Sequence, residues 1–294
     1  MRRQLTLVVV VAAAAATVAL PAESANAMPV ESATAAPIGP AHGNAPAPKW
    51  YLALGDSLAA GYQPGTGDDK TGGYVGGALA MLKQQNKSVK LTNLACSGET
   101  TTTFTTGTRC PAERSQQDQA LHFLKGHRNQ AGVITIDLGS NDIDTCVKGG
   151  AIDQTCIAGG LQSVSANLPP ILQKLHAAAP NARIVVLNYY NPFLAAYLLG
   201  PAGQTVAQQS AFLATIFNGE ISQAAATINA PIADVAAAFE SDDWAPVSTP
   251  SFGVLPTNVA RICEWTWMCT KQNIHANDAG YAVMASALAP YLTS

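Results

Sequence analysis

The sequence predicts an α/β fold: a mainly parallel five-stranded sheet covered on both sides by helices, a three-layer α/β/α sandwich. Two observations predict it. Short apolar runs of strand length alternate with longer stretches of helical apolar spacing. The first and third runs also end at a glycine, Gly55 and Gly139, where the chain can turn away from a sheet.

The elements follow in order. Trp50 to Leu54 reads as a buried strand stopped by Gly55, and a helix begins near Gly73 and includes Gly77 to Leu82. Val89 to Ala95 reads as a second strand and Val133 to Leu138 as a third. Leu161 to Ala179 has helical spacing, with Pro169-Pro170 expected to restart or kink it. Arg183 to Asn188 is a β-branched strand, Gln204 to Ile228 a long helix and Pro231 to Val235 a last short strand. Asp278 to Leu292 closes the chain as a helix with Tyr281, Met284, Ala285 and Leu288 on one face. In such sheets, sites form beyond the C-terminal ends of the strands.

The 294 residues are 48% apolar and 12% charged, with a formal charge of −3. That is enough apolar material for a substantial core. With no basic stripe to neutralise phosphates, nucleic acid is not an expected partner. Arg2 and Arg3, the apolar run Leu5 to Leu20, and Ala25-Asn26-Ala27 have the three-part pattern of a signal peptide cleaved after Ala27. The run is short and alanine-rich for a bilayer span, so a secreted protein without a stable membrane anchor is expected, and a monomer. Residues 28–48 are rich in Ala, Pro, Ser and Gly and read as a disordered linker or propeptide. The catalytic domain is expected over 49–294.

The six cysteines are Cys96, Cys110, Cys146, Cys156, Cys263 and Cys269. An even count in an exported chain argues for disulfides, and six cysteines permit fifteen connectivities. Short loops close most readily, so the expected pairs are 96–110, 146–156 and 263–269. No Cys-x-x-Cys or His-x-x-x-His spacing supports a metal, and no cofactor is expected.

The chemistry-bearing residues follow the strands. Gly55-Asp56-Ser57-Leu58 follows the first, Cys96-Ser97-Gly98-Glu99 the second and Gly139-Ser140-Asn141-Asp142 the third, while His275 precedes the last helix. An α/β sheet would gather Ser57, Gly98, Asn141 and His275 into one crevice. These blocks resemble the SGNH hydrolase family, also called GDSL esterases and lipases, of a secreted actinobacterial type. The resemblance runs from Tyr51 to the C-terminus and implies a flavodoxin-like SGNH hydrolase fold.

A serine hydroxyl is a poor nucleophile until a base takes its proton, and an imidazole can take and return one near neutral pH. The resemblance makes Ser57 the nucleophile and His275 its base. It also implies an oxyanion hole of the Ser57 and Gly98 amides and the Asn141 side-chain amide. A Cβ at position 98 is expected to crowd the amide that faces the substrate.

Two departures from the family pattern stand out. The aspartate expected three residues before the histidine is Gln272, so a Ser–His dyad with the Gln272 carbonyl orienting the ring is expected. The proline after the histidine is Ala276. Asp278 reads as the N-terminal charge of the last helix. Of the other histidines, His42 falls in the linker, His122 and His127 are expected to face solvent, and His176 sits late in a helix. A Gly-x-Ser-x-Gly elbow is absent, which argues against an ordinary α/β-hydrolase.

Phe193 to Leu199 could line an acyl groove or pack into the core, and Trp265 and Trp267 could wall the leaving-group side or anchor their loop. The expected activity is carboxylic ester hydrolysis on lipid or acyl esters through an acyl-enzyme on Ser57. A carbohydrate acetyl esterase and a non-catalytic binding module are the alternatives.

Overall fold

The computed structural model describes residues 46–110, 114–148 and 151–292. The expected signal peptide (residues 1–27), residues 28–45 and His42 lie outside the described residues. Five strands form one parallel sheet: β1 (Trp50–Gly55), β2 (Lys90–Asn93), β3 (Gly132–Asp137), β4 (Ala182–Leu187) and β5 (Ile232–Ala233), in spatial order β2-β1-β3-β4-β5. Every residue of β1 and β3 is buried, so these central strands are covered on both faces, with the polar Thr135 and Asp137 of β3 hydrogen-bonded inside.

The topology follows from chirality. The crossover β1–β2 runs toward one edge and the crossovers from β2 to β5 run toward the other, so right-handed connections place their helices on opposite faces. Helix α1 (Gly73–Gln85) packs with the C-terminal helix Asp278–Leu292, and their approach is so close that a Cβ on Gly77 would lie 2.6 Å from Ala285 Cβ. On the other face pack α2 (Thr101–Thr106), α3 (Gln116–His127), α4 (Gln154–Ala178) and α5 (Pro201–Ala226).

Three local expectations are corrected. Helix α4 begins at Gln154 and continues through Pro169 and Pro170. Proline removes two backbone donors there, but Leu168, Ile171, Leu172 and Leu175 are all buried, and that apolar stripe holds the helix on the sheet. Residues 116–127, where no helix was expected, form α3, capped by Ser115 Oγ accepting from the Asp118 amide. His127 is only partly exposed: its ring stacks on Phe123 at 4.1 Å and meets Trp50 edge-on at 5.9 Å.

The rest of the chain builds loops around the sheet's C-terminal end. Pro192–Leu199 is a 3₁₀ helix that packs on α5. Short helices follow at Val235–Ala238 (α6), Thr257–Trp265 (α7) and Met268–Lys271 (α8), before Asp278–Leu292 (α9). Disulfides join Cys96 to Cys110, Cys146 to Cys156 and Cys263 to Cys269. Among the described residues, no helix is long and apolar enough to cross a membrane.

Candidate active site

Ser57 sits in a tight turn directly after β1, and a buried acidic pair builds that turn. Gly55 has φ 131°, and a Cβ there would fall 2.1 Å from both the backbone and side-chain oxygens of Asp137 at the end of β3. Only glycine fits. Asp137 Oδ2 accepts from the Ala59 amide at 3.0 Å, and Asp56 Oδ1 accepts from the Leu58 amide at 2.9 Å, so two carboxylates brace the two residues that follow Ser57. Asp56 Oδ2 accepts from Tyr189 Oη at 2.8 Å and Ser140 Oγ at 3.0 Å, and Asp137 Oδ1 from Tyr74 Oη at 3.1 Å.

Both carboxyls are fully buried and hydrogen-bonded to each other. Burial pushes Asp56 up to about 6, and burial plus the neighbouring Asp56 charge pushes Asp137 well above the ordinary carboxylate range. Two adjacent buried carboxylates cannot both ionise cheaply, which is why both members of the pair are raised.

Ser57 Oγ lies 2.7 Å from His275 Nε2. The histidine occupies the loop between α8 and α9 and is held from several sides. Tyr190 Oη donates to the preceding carbonyl of Ile274 at 2.7 Å, and the Trp267 amide donates to the His275 carbonyl at 2.9 Å. The Tyr62 ring packs on the imidazole at 4.4 Å. Trp267 serves as an anchor, its Nε1 donating to Gln63 Oε1 at 2.6 Å, while Trp265 packs edge-on against Phe239. Burial lowers the His275 pKa to about 4, with the Asp68 charge pulling it back up, so the ring is neutral at pH 7.

The partner of His275 Nδ1 is Asn273 Oδ1, at 2.8 Å, and not Gln272. Gln272 has a left-handed backbone, φ 51°, and closes α8 with its amide bonded to the Met268 carbonyl. That turn carries Asn273, one residue later, beside the imidazole.

Gly98 has φ 82°, which favours glycine, but the space a Cβ would need is filled by the Arg109 guanidinium, with Nη2 2.5 Å away, rather than by a substrate-facing amide. Arg109 Nε donates to the Ser97 carbonyl at 3.0 Å. Among the described residues, the amides of Ser57 and Gly98 have no intramolecular acceptor. Asn141 Nδ2 donates to the Glu99 carbonyl at 3.1 Å, which fixes the side chain and leaves its second N–H free to donate. Glu99 is buried and accepts from Gln116 Nε2 at 3.0 Å, and Gln116 also pairs with both backbone groups of Gly55. The turns after β1 and β2 are thus tied together by one side chain that the sequence did not single out. Cys96, Glu99 and Cys110 lie together, but both sulfurs belong to the disulfide and have no thiolate to offer a metal.

A narrow pocket of about 60 Å³ opens beside Ser57 and His275. Its wall is mainly apolar, with Ile143, Ile157, Phe193, Leu213 and Phe217. Of the stretch 193–199, then, Phe193 lines the pocket, Leu194 is core, and Leu198 and Leu199 are exposed. Asp144 is the one carboxyl in this wall. Burial, and then the Asp56 charge, push it up to about 8.

A serine and histidine in contact, two free amides and an anchored carboxamide beside an apolar slot form the arrangement that ester hydrolysis needs. The family model for the GDSL-like Lipase/Acylhydrolase family matches residues 53–283. The chain belongs to this family. As a member it is an ester hydrolase, with small-molecule esters as substrates. Two crystal structures share the fold. One is a GDSL-like lipase candidate from Parabacteroides merdae ATCC 43184, with a TM-score of 0.52, 16% identity, and coverage of 83% of this chain and 95% of that one. The other is the lipase Lip_vut3 from a goat rumen metagenome, with a TM-score of 0.52, 21% identity, and coverage of 81% and 95%. No curated protein matches the chain.

Proposed function

We propose that this GDSL-family chain is a secreted serine hydrolase that cleaves carboxylic esters with an apolar acyl group, through an acyl-enzyme on Ser57. The observation that carries the proposal is the 2.7 Å contact between Ser57 Oγ and His275 Nε2, with Nδ1 held by Asn273. Residues 49–294 form the catalytic domain, and residues 1–27 direct export with cleavage after Ala27.

Ser57 Oγ attacks the ester carbonyl as its proton passes to Nε2. The oxyanion that develops receives hydrogen bonds from the Ser57 and Gly98 amides and from Asn141 Nδ2. Loss of one such donor typically costs roughly 2.7–4 kcal/mol of transition-state stabilisation. The imidazolium returns the proton to the leaving alkoxide, which breaks the ester and leaves acyl-Ser57. Water then attacks the acyl carbonyl, its proton passes to Nε2 and on to Ser57 Oγ, and the carboxylic acid departs. His275 is neutral at pH 7 and so is ready to accept the first proton.

The apolar wall at Ile143, Phe193 and Leu213 favours an acyl chain over a sugar acetyl ester. Hydrolysis of p-nitrophenyl esters from acetate to palmitate, beside Ser57→Ala, tests the proposal. Turnover abolished in the variant, with a preference for chains longer than acetate, supports it. An optimum at acetate would favour the sugar-ester alternative, and no fluorophosphonate labelling of Ser57 would favour the binding module.

A further inference from the structure

The turn after β2 is built on a peptide that can rotate. The Glu99 amide donates to the Cys96 carbonyl at 3.1 Å, so residues 96–99 form a β-turn with Ser97 and Gly98 at its centre. Gly98 has φ 82°, as a type II turn requires at its third position. A type I turn places that residue at about −90°. The two turns differ by a half rotation of the central peptide, which here joins the Ser97 carbonyl to the Gly98 N–H. Glycine takes either sign of φ, so its own sterics do not prevent the rotation.

The orientation of this peptide decides which way the Gly98 donor points. In a trans peptide the C=O and N–H point in opposite directions, so rotation would carry the N–H to the far side of the turn. The Gly98 amide has no intramolecular acceptor among the described residues to hold it. The hold comes from the other end of the same peptide. Arg109 Nε donates to the Ser97 carbonyl at 3.0 Å, and among the described residues no other N–H or O–H does so. The guanidinium also lies over Gly98, with Nη2, Nε and Cζ 2.5, 2.6 and 2.7 Å from the position a Cβ would take. In the rotated turn it would meet the Gly98 N–H, donor against donor.

Covalent structure delivers Arg109 to this place. Cys96 precedes Ser97, Cys110 follows Arg109, and the disulfide between them holds their Cα atoms 6.0 Å apart. The side chain is exposed, yet among the described residues it forms no ion pair that would draw it away from the carbonyl. A charged donor on the carbonyl also polarises the peptide and makes its N–H a better donor.

We infer that Arg109 is a positioning residue for the oxyanion hole: through the Ser97 carbonyl it locks the 97–98 peptide with the Gly98 N–H turned to the developing oxyanion. The inference rests on the reading of Gly98 as an oxyanion donor in ester hydrolysis.

The test uses p-nitrophenyl butyrate and an alkyl trifluoromethyl ketone. Ser57 Oγ adds to the ketone carbon, its proton passes to His275, and a hemiketal oxyanion is left in the hole. Complete loss of an oxyanion donor typically lowers kcat about 10²–10³-fold, and a donor misaligned for part of the time costs less. Arg109→Ala is therefore expected to lower kcat about tenfold with KM unchanged, and to raise the inhibition constant of the ketone by the same factor. Guanidinium ion added at non-denaturing concentration should recover part of the loss. The amide nitrogen resonance of Gly98, which reports the hydrogen bond on the preceding carbonyl, should shift in the variant. Arg128→Ala removes a guanidinium bond to the Ala177 carbonyl beyond α3 and should leave kcat unchanged.

An unchanged kcat in Arg109→Ala would overturn the inference. So would a rise in KM alone, which would put Arg109 in contact with substrate, or equal losses in the two arginine variants. If the unaltered protein hydrolysed no soluble ester, the ester-hydrolase reading would fall, while the Gly98 resonance would still decide whether Arg109 holds the peptide.

Discussion

Asn273 Oδ1 accepts two hydrogen bonds from His275, one from its backbone amide at 3.1 Å and one from Nδ1 at 2.8 Å. The first fixes the chemistry of the second. A backbone N–H can only donate, so the facing atom of Asn273 is its oxygen and Nδ1 must carry the ring proton. Nε2 is then the lone-pair nitrogen turned toward Ser57 Oγ.

Asn273→Ala is therefore expected to lower kcat roughly tenfold to a hundredfold, the worth of one hydrogen bond to a group that becomes charged. Asn273→Asp should restore activity, and its carboxylate should move the acidic limb of the pH–rate profile upward. Gln272→Ala should leave kcat and the profile unchanged. Steady-state kinetics of the three variants decide the matter: a large loss at Gln272 beside a silent Asn273 would reverse the assignment.

The pH dependence has its own sign. Burial holds His275 neutral down to about pH 4, so kcat/KM should persist well below the ordinary histidine range and fall only near that value. The Asp68 charge stabilises the imidazolium. Asp68→Asn is expected to shift the acidic limb to still lower pH, as measured on a soluble ester. An upward shift would mean that Asp68 acts on the imidazole in some other way.

Ser57, Gly98 and Asn141 were legible because each follows a strand of the parallel sheet, and such strand ends converge whatever the loops do. His275, in the loop before the last helix, was reached only through the family resemblance. Asn273 was missed because the family's three-residue spacing pointed to Gln272. A local signal was present in Asn-x-His, since an asparagine side chain readily bonds the amide two residues on. The support beneath Ser57 had no such signal. Asp56 meets Ser140 and Tyr189 across 84 and 133 residues, and only the folded sheet brings them together. The pocket wall was half legible for the same reason: Phe193 to Leu199 reads as uniformly apolar, yet its residues divide between pocket, core and surface.

Cys263 and Cys269 enclose Trp267, whose amide bonds the His275 carbonyl and whose indole bonds Gln63. The loop is short, so its removal should cost about 2 kcal/mol of stability, or a Tm fall of roughly 4–8 °C in a domain of this size. The effect on catalysis should exceed the effect of opening Cys146–Cys156, which among the described residues encloses no hydrogen bond to the histidine. Thermal unfolding and kcat for the two double Cys→Ser variants give the comparison. Equal losses of kcat at matched stability would show that the Trp267 loop does not position His275.

Asp144 brings a titratable group into a mainly apolar pocket. Facing it are Asp56 and Asp142, the Ser140 hydroxyl, Tyr190 and, at the pocket mouth, His275. Asp142 is already engaged by the Thr101 amide and hydroxyl, both at 2.8 Å. With carboxylates around it and its pKa pushed up to about 8, Asp144 is neutral at pH 7. Because the folded protein holds this proton more tightly than the unfolded chain, stability falls as pH rises from the ordinary aspartate range through about 8. Ionisation also places a charge against the bound chain. KM for long-chain esters should therefore rise above about pH 8, while KM for acetate stays level. Asp144→Asn keeps the shape and cannot ionise, so it should hold the long-chain KM flat across that range and flatten the loss of stability on its acidic side. An alkaline rise in KM that survives Asp144→Asn would assign it to another group, and Tyr190 and the Asp56–Asp137 pair would then be the residues to vary.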